Sequence, residues 1–353
     1  MKRIISLILT LVLVLSMTFV GCAFAEEAET RVVVDMAGNE VVVPVKPQRV
    51  AVLPDAMCTL SWILMGGTDN MACITESSKG HWTNGLGQYI YPEMADIPVG
   101  AEQNVEELMT LDPDLIITMS GDPYADLTAA YVELGLPVYT VTSEALYGDP
   151  IACISALGEL YGCEERANQL IAYMNETDAY IDDVLADVEA GSGPRMYNTV
   201  WIKDMKAWTA GSFNGKIIDA LKCQNISDDP ASSTAFTMEE ILAYDPEIII
   251  ISFDDKTPED FYNNNIEGQD WTSTTAVKNH AVYSGPSMVQ RWAQSFSAEK
   301  FLYKRWMASV VYPDLFPMSE TEAYIKAYLS DFYGYEIPDD VYAACMCTEL
   351  NGI

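Results

Sequence analysis

Asn104-Val-Glu-Glu-Leu-Met-Thr-Leu-Asp-Pro-Asp-Leu-Ile-Ile-Thr118 and Thr237-Met-Glu-Glu-Ile-Leu-Ala-Tyr-Asp-Pro-Glu-Ile-Ile-Ile-Ile251 are one stretch of sequence written twice. They align without a gap at an offset of 133 residues, with Glu-Glu, Asp-Pro and Ile-Ile in register. In each, a capping residue (Asn104, Thr237) stands three positions before a glutamate (Glu107, Glu240), which predicts a helix start closed by a capping box. Asp112-Pro113 and Asp245-Pro246 stop that helix, because a proline disfavours the helical conformation in the residue before it. The apolar runs that follow, Leu115 to Thr118 and Ile248 to Ile251, lack polar alternation, as parallel strands covered on both faces require.

The distance between the copies decides the architecture. Solenoid repeats recur every ~20–50 residues, whereas about 130 residues is the size of a domain. Two similar α/β lobes, each with a central parallel sheet, are therefore expected.

The rest of the composition narrows the class. In 353 residues there is room for two or three domains, and half of the residues are apolar. Nineteen basic against 52 acidic residues give a net charge of −33, which repels phosphate backbones and excludes a nucleic-acid partner. Such a charge also favours a soluble monomer. Residues 1–25 are set apart: Lys2 and Arg3, an apolar stretch from Ile4 to Leu15, then small residues, the layout of an export signal. Two cleavage readings compete there. Phe19-Val20-Gly21-Cys22 resembles a lipobox, which would make Cys22 the lipidated first residue, and Ala23-Phe24-Ala25 fits an Ala-x-Ala site that releases the protein. Nothing later is apolar for long enough to span a bilayer. With Cys22 lipidated, seven cysteines remain, an odd number that cannot all pair within the chain, and most are expected in cores. Cys345-Met-Cys347 lacks zinc-site spacing.

In order along the chain, Arg31 to Val34 and Val41 to Val43 flank a turn at Asp35 to Asn39 and predict a hairpin. The first lobe, residues 31–150, takes strands at Arg49 to Leu53, Met71 to Ile74, Leu115 to Thr118 and Pro137 to Val141, with a long loop from Thr75 to Pro98. Residues 151–191 are linking helices. Glu164 to Glu189 has apolar residues at spacings of three and four and no internal glycine or proline, which predicts a helix of 26 residues, about 39 Å, able to run across two lobes. The second lobe, residues 192–317, opens with a strand from Arg195 to Ile202 and a polar aromatic loop from Lys203 to Phe213, and closes with a helix from Ala293 to Val311. Residues 318–353 form an acidic helical tail.

Taken together, Asp35-x-x-Gly38, Val43-Pro44, Pro47-x-Arg49-Val50, Val99-Gly100, Asn104-x-Glu106 with Asp112 to Ile117, the linking helix, and Trp271 with Ala276-Val-Lys-Asn279 and Val282-Tyr283 carry a resemblance. In order and spacing they are similar to substrate-binding proteins of bacterial ABC importers for ferric siderophores, haem and cobalamin. The resemblance covers residues 31 to 317, with His280 standing where that family has a glycine. It implies two Rossmann-like lobes joined by one rigid helix, ligand held between them, and partners in a membrane permease and its ATPase. It also implies that Glu106 and Glu239, one on each lobe, dock into arginine pockets of the permease. Each repeated helix runs antiparallel to its strand, so these carboxylates start on the cleft side, where they also gain about 0.3–1 kcal/mol from the helix dipole.

Ligands of open α/β sheets lie beyond the carboxyl ends of the strands. In so acidic a chain the cations there stand out: Lys203, Lys206 and Arg291 suit an anionic ferric chelate. Trp82, Tyr89, Tyr91, Trp201, Trp208, Phe213 and Trp292 are candidates for an aromatic wall, although each type is more often core. His81 is a candidate cleft contact; as a metal ligand it would need partners, and no second histidine lies near.

Enzyme readings fare poorly. Gly211-Ser-Phe-Asn-Gly215-Lys216-Ile217 echoes a phosphate loop but is one residue short and lacks the hydroxyl after lysine. There is no nucleophile elbow. The expectation is a non-enzymatic exported receptor without cofactor or bound metal of its own, at the outer face of the cytoplasmic membrane by its lipid or free in the periplasm. Its ligand is read as an iron chelate, with haem or cobalamin as the alternative. A cytoplasmic two-lobed metal-cofactor assembly enzyme is the rival of another class.

Overall fold

The computed structural model describes residues 29–353 except 68, 84, 101–103, 123, 149, 232, 253–254 and 290–296. Strands β1 (Thr30–Val34) and β2 (Glu40–Pro44) form the antiparallel hairpin. Its turn is fixed by the Asp35 carboxylate, which accepts from the amides of Ala37 at 3.0 Å and Asn39 at 2.7 Å. Strands β3 (Val50–Val52), β4 (Met71–Cys73), β5 (Leu115–Met119) and β6 (Val138–Val141) make a parallel sheet in the order β4-β3-β5-β6. A second sheet holds β7 (Arg195–Trp201), β8 (Lys206–Trp208), β9 (Gln224–Asn225), β10 (Ser233–Ala235), β11 (Ile248–Ile251) and β12 (Val282–Ser284). Its parallel part, β9-β7-β11-β12, repeats the first sheet's order, second strand, first, third, fourth. The two copies of the repeated stretch supply the third strand of each sheet, so the halves are duplicated in topology and not only in sequence.

The local physics of the repeat explains that placement. Leu115 and Ile117, like Ile248 and Ile250, join the large core shared with the linking helices, while Ile116 and Ile249 turn to the opposite face. There they are covered by Leu108 and Tyr131 in one lobe and by Ile241 and Phe261 in the other. Strands buried on both faces need this all-apolar composition. Asp112 and Asp245 take left-handed conformations, φ 49° and 51°, rather than the extended one that a following proline usually imposes. An unforeseen latch then closes each unit. Arg49 and Arg195, at the starts of β3 and β7, donate through Nε to the carbonyls of Asp112 (3.0 Å) and Asp245 (2.9 Å). Their amides donate to the carboxylates of Asp114 (2.9 Å) and Glu247 (3.1 Å).

The linking helix spans Glu164–Val184, 21 residues or about 31 Å, and not the 26 that the apolar spacing suggests. Leu185 and Val188 still pack on the core, but from the turns that bring the chain back into β7. One side of the linker meets helix Pro150–Tyr161, where Gly158 permits the approach: a Cβ there would lie 2.4 Å from that of Ala167. Another meets helix Lys300–Val311 of the second lobe. The expected helix from Ala293 begins at Lys300 among the described residues.

The acidic tail is helical, as its sequence suggests, and it joins the main core: helix Met318–Tyr333 buries Ile325, Tyr328, Leu329 and Phe332 there. Arg166 on the linker ties it down, donating to the carbonyls of Ile63 (2.6 Å) and Phe332 (2.9 Å) and stacking 4.1 Å from the Phe332 ring. One continuous core therefore runs from Val50 and Leu115 through Leu170 to Met196, Ile250 and the tail. The long loop after β4 is likewise folded, into helices Glu76–Thr83 and Gly87–Ile90 and a 3-10 turn, Pro92–Asp96.

Candidate ligand-binding site

Both sheets point the carboxyl ends of their parallel strands into loops that meet: the Leu86 amide of the first lobe donates to the Met288 carbonyl of the second at 2.8 Å. In the second lobe the strand ends are pinned by buried polar groups. Ser252 Oγ donates to Asn198 Oδ1 at 2.6 Å, and the Ser252 amide donates to Thr199 Oγ1 at 3.2 Å. In the first lobe Thr75 Oγ1, at the end of β4, accepts from the Ser78 amide at 3.0 Å.

The expected aromatic loop after β7 is a β-hairpin instead. β8 pairs antiparallel with β7, placing Lys206 opposite Trp201, and β10 extends it. Trp201 is half exposed, Lys203 is exposed in the turn and Lys206 is half-buried, so these three share one projecting hairpin at the carboxyl end of β7. Its turn is held from below by Gln269, whose Nε2 donates to the carbonyls of Ile202 (2.7 Å) and Lys203 (3.3 Å). Trp271 Nε1 in turn donates to Gln269 Oε1 at 2.8 Å. Sequence reasoning missed Gln269; its one signal is its place two residues before Trp271.

The other candidates separate. Trp82 is 3% exposed, in a T-shaped contact with Trp62 at 4.2 Å, and Trp208 is 7% exposed. Both are buried, which corrects their assignment to an open wall; the Trp82 ring is covered by Trp62 and Tyr91. Tyr91 is half-buried beside Trp62 (5.3 Å), and burial pushes its hydroxyl pKa up despite the opposing charge of Arg166. Tyr89 is half exposed and lines a cavity of about 360 Å³ with Ser287, Asp340 and Cys345, between the two lobes' loops and the tail. Phe213 opens helix Phe213–Ala220 and faces the linker. His81 lies in helix Glu76–Thr83, with its side chain outside the described residues, where Cys22, Arg291 and Trp292 also fall. The echo of a phosphate loop is a packed turn: a Cβ at Gly211 would lie 1.9 Å from the Pro230 carbonyl oxygen. Among the described residues all seven cysteines are free, no three His, Cys, Asp or Glu side chains form a metal site, and no helix is long and apolar enough to cross a membrane.

Glu106 and Glu239 are exposed in the first turns of helices Val105–Thr110 and Met238–Tyr244. The capping box is complete in the second: Thr237 Oγ1 accepts from the Glu240 amide (3.2 Å), and Glu240 Oε2 accepts from the Thr237 amide (2.7 Å). In the first, Asn104 Oδ1 accepts from the amides of Glu106 (3.1 Å) and Glu107 (3.3 Å). In neither helix is the outer glutamate's carboxylate needed for the cap.

A sequence model of the family described as "Periplasmic binding protein" matches residues 55–289. An uncharacterised ABC transporter substrate-binding lipoprotein of Bacillus subtilis, YvrC, is 24% identical over 227 residues, 60% of this chain; the match spans 66% of that protein's length. A periplasmic solute binding protein from Veillonella parvula superposes with a TM-score of 0.82 at 26% identity, covering 92% of this chain and 99% of the other. The Haemophilus influenzae protein MolA bound to molybdate superposes with 0.74 at 17% identity, covering 87% and 99%, a likeness of fold alone.

Proposed function

Because the chain belongs to the periplasmic binding protein family, whose relatives here are transport receptors and not enzymes, we propose that it captures an anionic metal chelate between its lobes and hands it to an ABC permease. The ferric siderophore class fits best. The observation that carries this reading is the hairpin at the end of β7, which gathers Trp201, Lys203 and Lys206 where a chain of net charge −33 offers few cations. An aromatic face beside two ammonium groups suits a planar, negatively charged chelate. The continuous core through linker and tail supports capture with little closure of one lobe on the other. A lipid on Cys22 would hold the receptor beside its permease, and mass spectrometry of the mature N-terminus distinguishes that from cleavage after Ala25.

A thermal-shift screen across catecholate and hydroxamate ferric siderophores, haem, cobalamin and molybdate tests the ligand. A ferric siderophore at 100 times its Kd is expected to add about 2.7 kcal/mol, and Lys203→Glu with Lys206→Glu to remove most of that gain. Stabilisation by haem or cobalamin alone would replace the siderophore reading with the alternative. Stabilisation by molybdate alone, or by none of them, would end the chelate assignment.

A further inference from the structure

A second cavity lies away from the strand ends, walled by the linker and by helices Phe213–Ala220 and Lys300–Val311. No described residue of the first lobe lines it, so it is distinct from the mouth between the lobes. Its volume is about 190 Å³. An apolar protein cavity of about 150 Å³ takes up benzene, so a single aromatic ring fits.

Its lining is unusual for this chain. Three of its nine residues, Lys216, Lys300 and Lys304, are lysines, whereas the whole sequence has 19 basic residues in 353. The one acid in the lining, Asp178, is bound to Lys304 at 2.9 Å. Lys300 is 3% exposed, with its Nζ 5.5 Å from the centre of the Phe213 ring. Burial holds its pKa well below the ordinary lysine value and favours the neutral amine, so the positive charge of the wall rests on Lys216 and Lys304. The remaining wall is apolar, with Phe213 and Phe301 its two rings. A cation in the wall of an apolar chamber attracts an anion more strongly than one in open water, because the local dielectric is lower. An apolar chamber of one-ring size with cations in its wall is complementary to a molecule with an aromatic body and a single negative end.

We propose that this cavity binds a benzoate-sized aromatic carboxylate, its ring against Phe213 and Phe301 and its carboxylate toward Lys216 and Lys304. This is a small-molecule site additional to the chelate site and independent of that reading. The test is titration calorimetry of the full chain, as it is exported, with benzoate and with benzamide, a neutral molecule of the same shape. Benzoate is expected to bind about tenfold more tightly than benzamide, as loss of one charge-assisted hydrogen bond implies. Lys216→Glu, at an exposed position, is expected to weaken benzoate by a similar factor without affecting folding. Ala220→Leu, which fills the chamber and changes no charge, is expected to abolish binding. No benzoate binding at millimolar concentration, equal affinity for benzamide, or binding unchanged in both variants would each overturn the proposal; the last would put benzoate elsewhere on the protein. Siderophore affinity is expected to be unaltered in both variants, so a failure here leaves the receptor reading untouched.

Discussion

His280 is the residue at which this chain departs from the glycine of the family it resembles, and the backbone shows why glycine is usual there. It is left-handed, φ 54°, after helix Thr275–Lys278, with its amide donating to the Val277 carbonyl (3.2 Å) and the Ala281 amide to that of Ala276 (2.8 Å). The chain thus leaves its helix through a left-handed stop, a position that a side chain strains by about 1–2 kcal/mol. The imidazole packs 4.5 Å from the Tyr262 ring and recovers part of that cost. His280→Gly should therefore stabilise the protein by about 0.5–1 kcal/mol in urea denaturation, the relief of strain less the lost ring contact. A fall in stability would mean that the ring contact outweighs the strain. At the same scale, burial raises the Cys73 and Cys223 thiol pKa values to about 12, which keeps both inert as small core residues.

At the scale of the element, the two repeated units are alike in what stops and covers them and differ in how they start. The start at Thr237 depends on an ionised glutamate. Glu240's carboxyl is held below its ordinary value of 4.5, first by the Thr237 amide and then by its hydroxyl. A carboxyl with a depressed folded pKa contributes stability that is full above its unfolded pKa and is lost as pH falls through the folded one. Thr237→Ala should cost about 1 kcal/mol at neutral pH. Its deficit against the parent should narrow as the pH of unfolding is lowered from the ordinary glutamate range through Glu240's depressed folded pKa, below which the carboxyl is protonated in both states. A deficit independent of pH would show that the hydroxyl acts only as acceptor of the Glu240 amide. The Arg49 and Arg195 latches explain a further likeness of the halves: each first strand is tied to the loop entering the third, and this sets the register of the sheet.

Over the whole molecule, the linker, the second lobe's helix Lys300–Val311 and the tail share one core with both sheets, so the lobes are fixed relative to one another. That rigidity gives the exposed carboxylates of Glu106 and Glu239 a constant separation, which the docking role we propose for them on one permease requires. Replacing both by Ala should abolish uptake in cells and leave ligand affinity unchanged. The loss in stability should stay near the dipole contribution of about 0.3–1 kcal/mol at each helix. A matching fall in affinity would place these side chains on the ligand, and undiminished uptake would place docking elsewhere.

What the sequence by itself determined is the duplicated unit: its helix, its Asp-Pro stop, its doubly buried strand and hence two sheets of one design. Those features rest on short-range rules, capping, proline sterics and the composition of a covered strand, which are legible within fifteen residues of one another in each copy. The tertiary structure alone decided which aromatic residues are open to a ligand, since Trp82 and Trp201 look alike in sequence, yet Trp82 is covered by Trp62 and Tyr91 while Trp201 stands half exposed. It alone ended the linker at Val184, turned the loop after β7 into a hairpin and drew the tail into the core. The cover of Trp82 and the docking of the tail were settled by burial against other elements of the fold, and burial is a property of the packed whole that no local pattern carries.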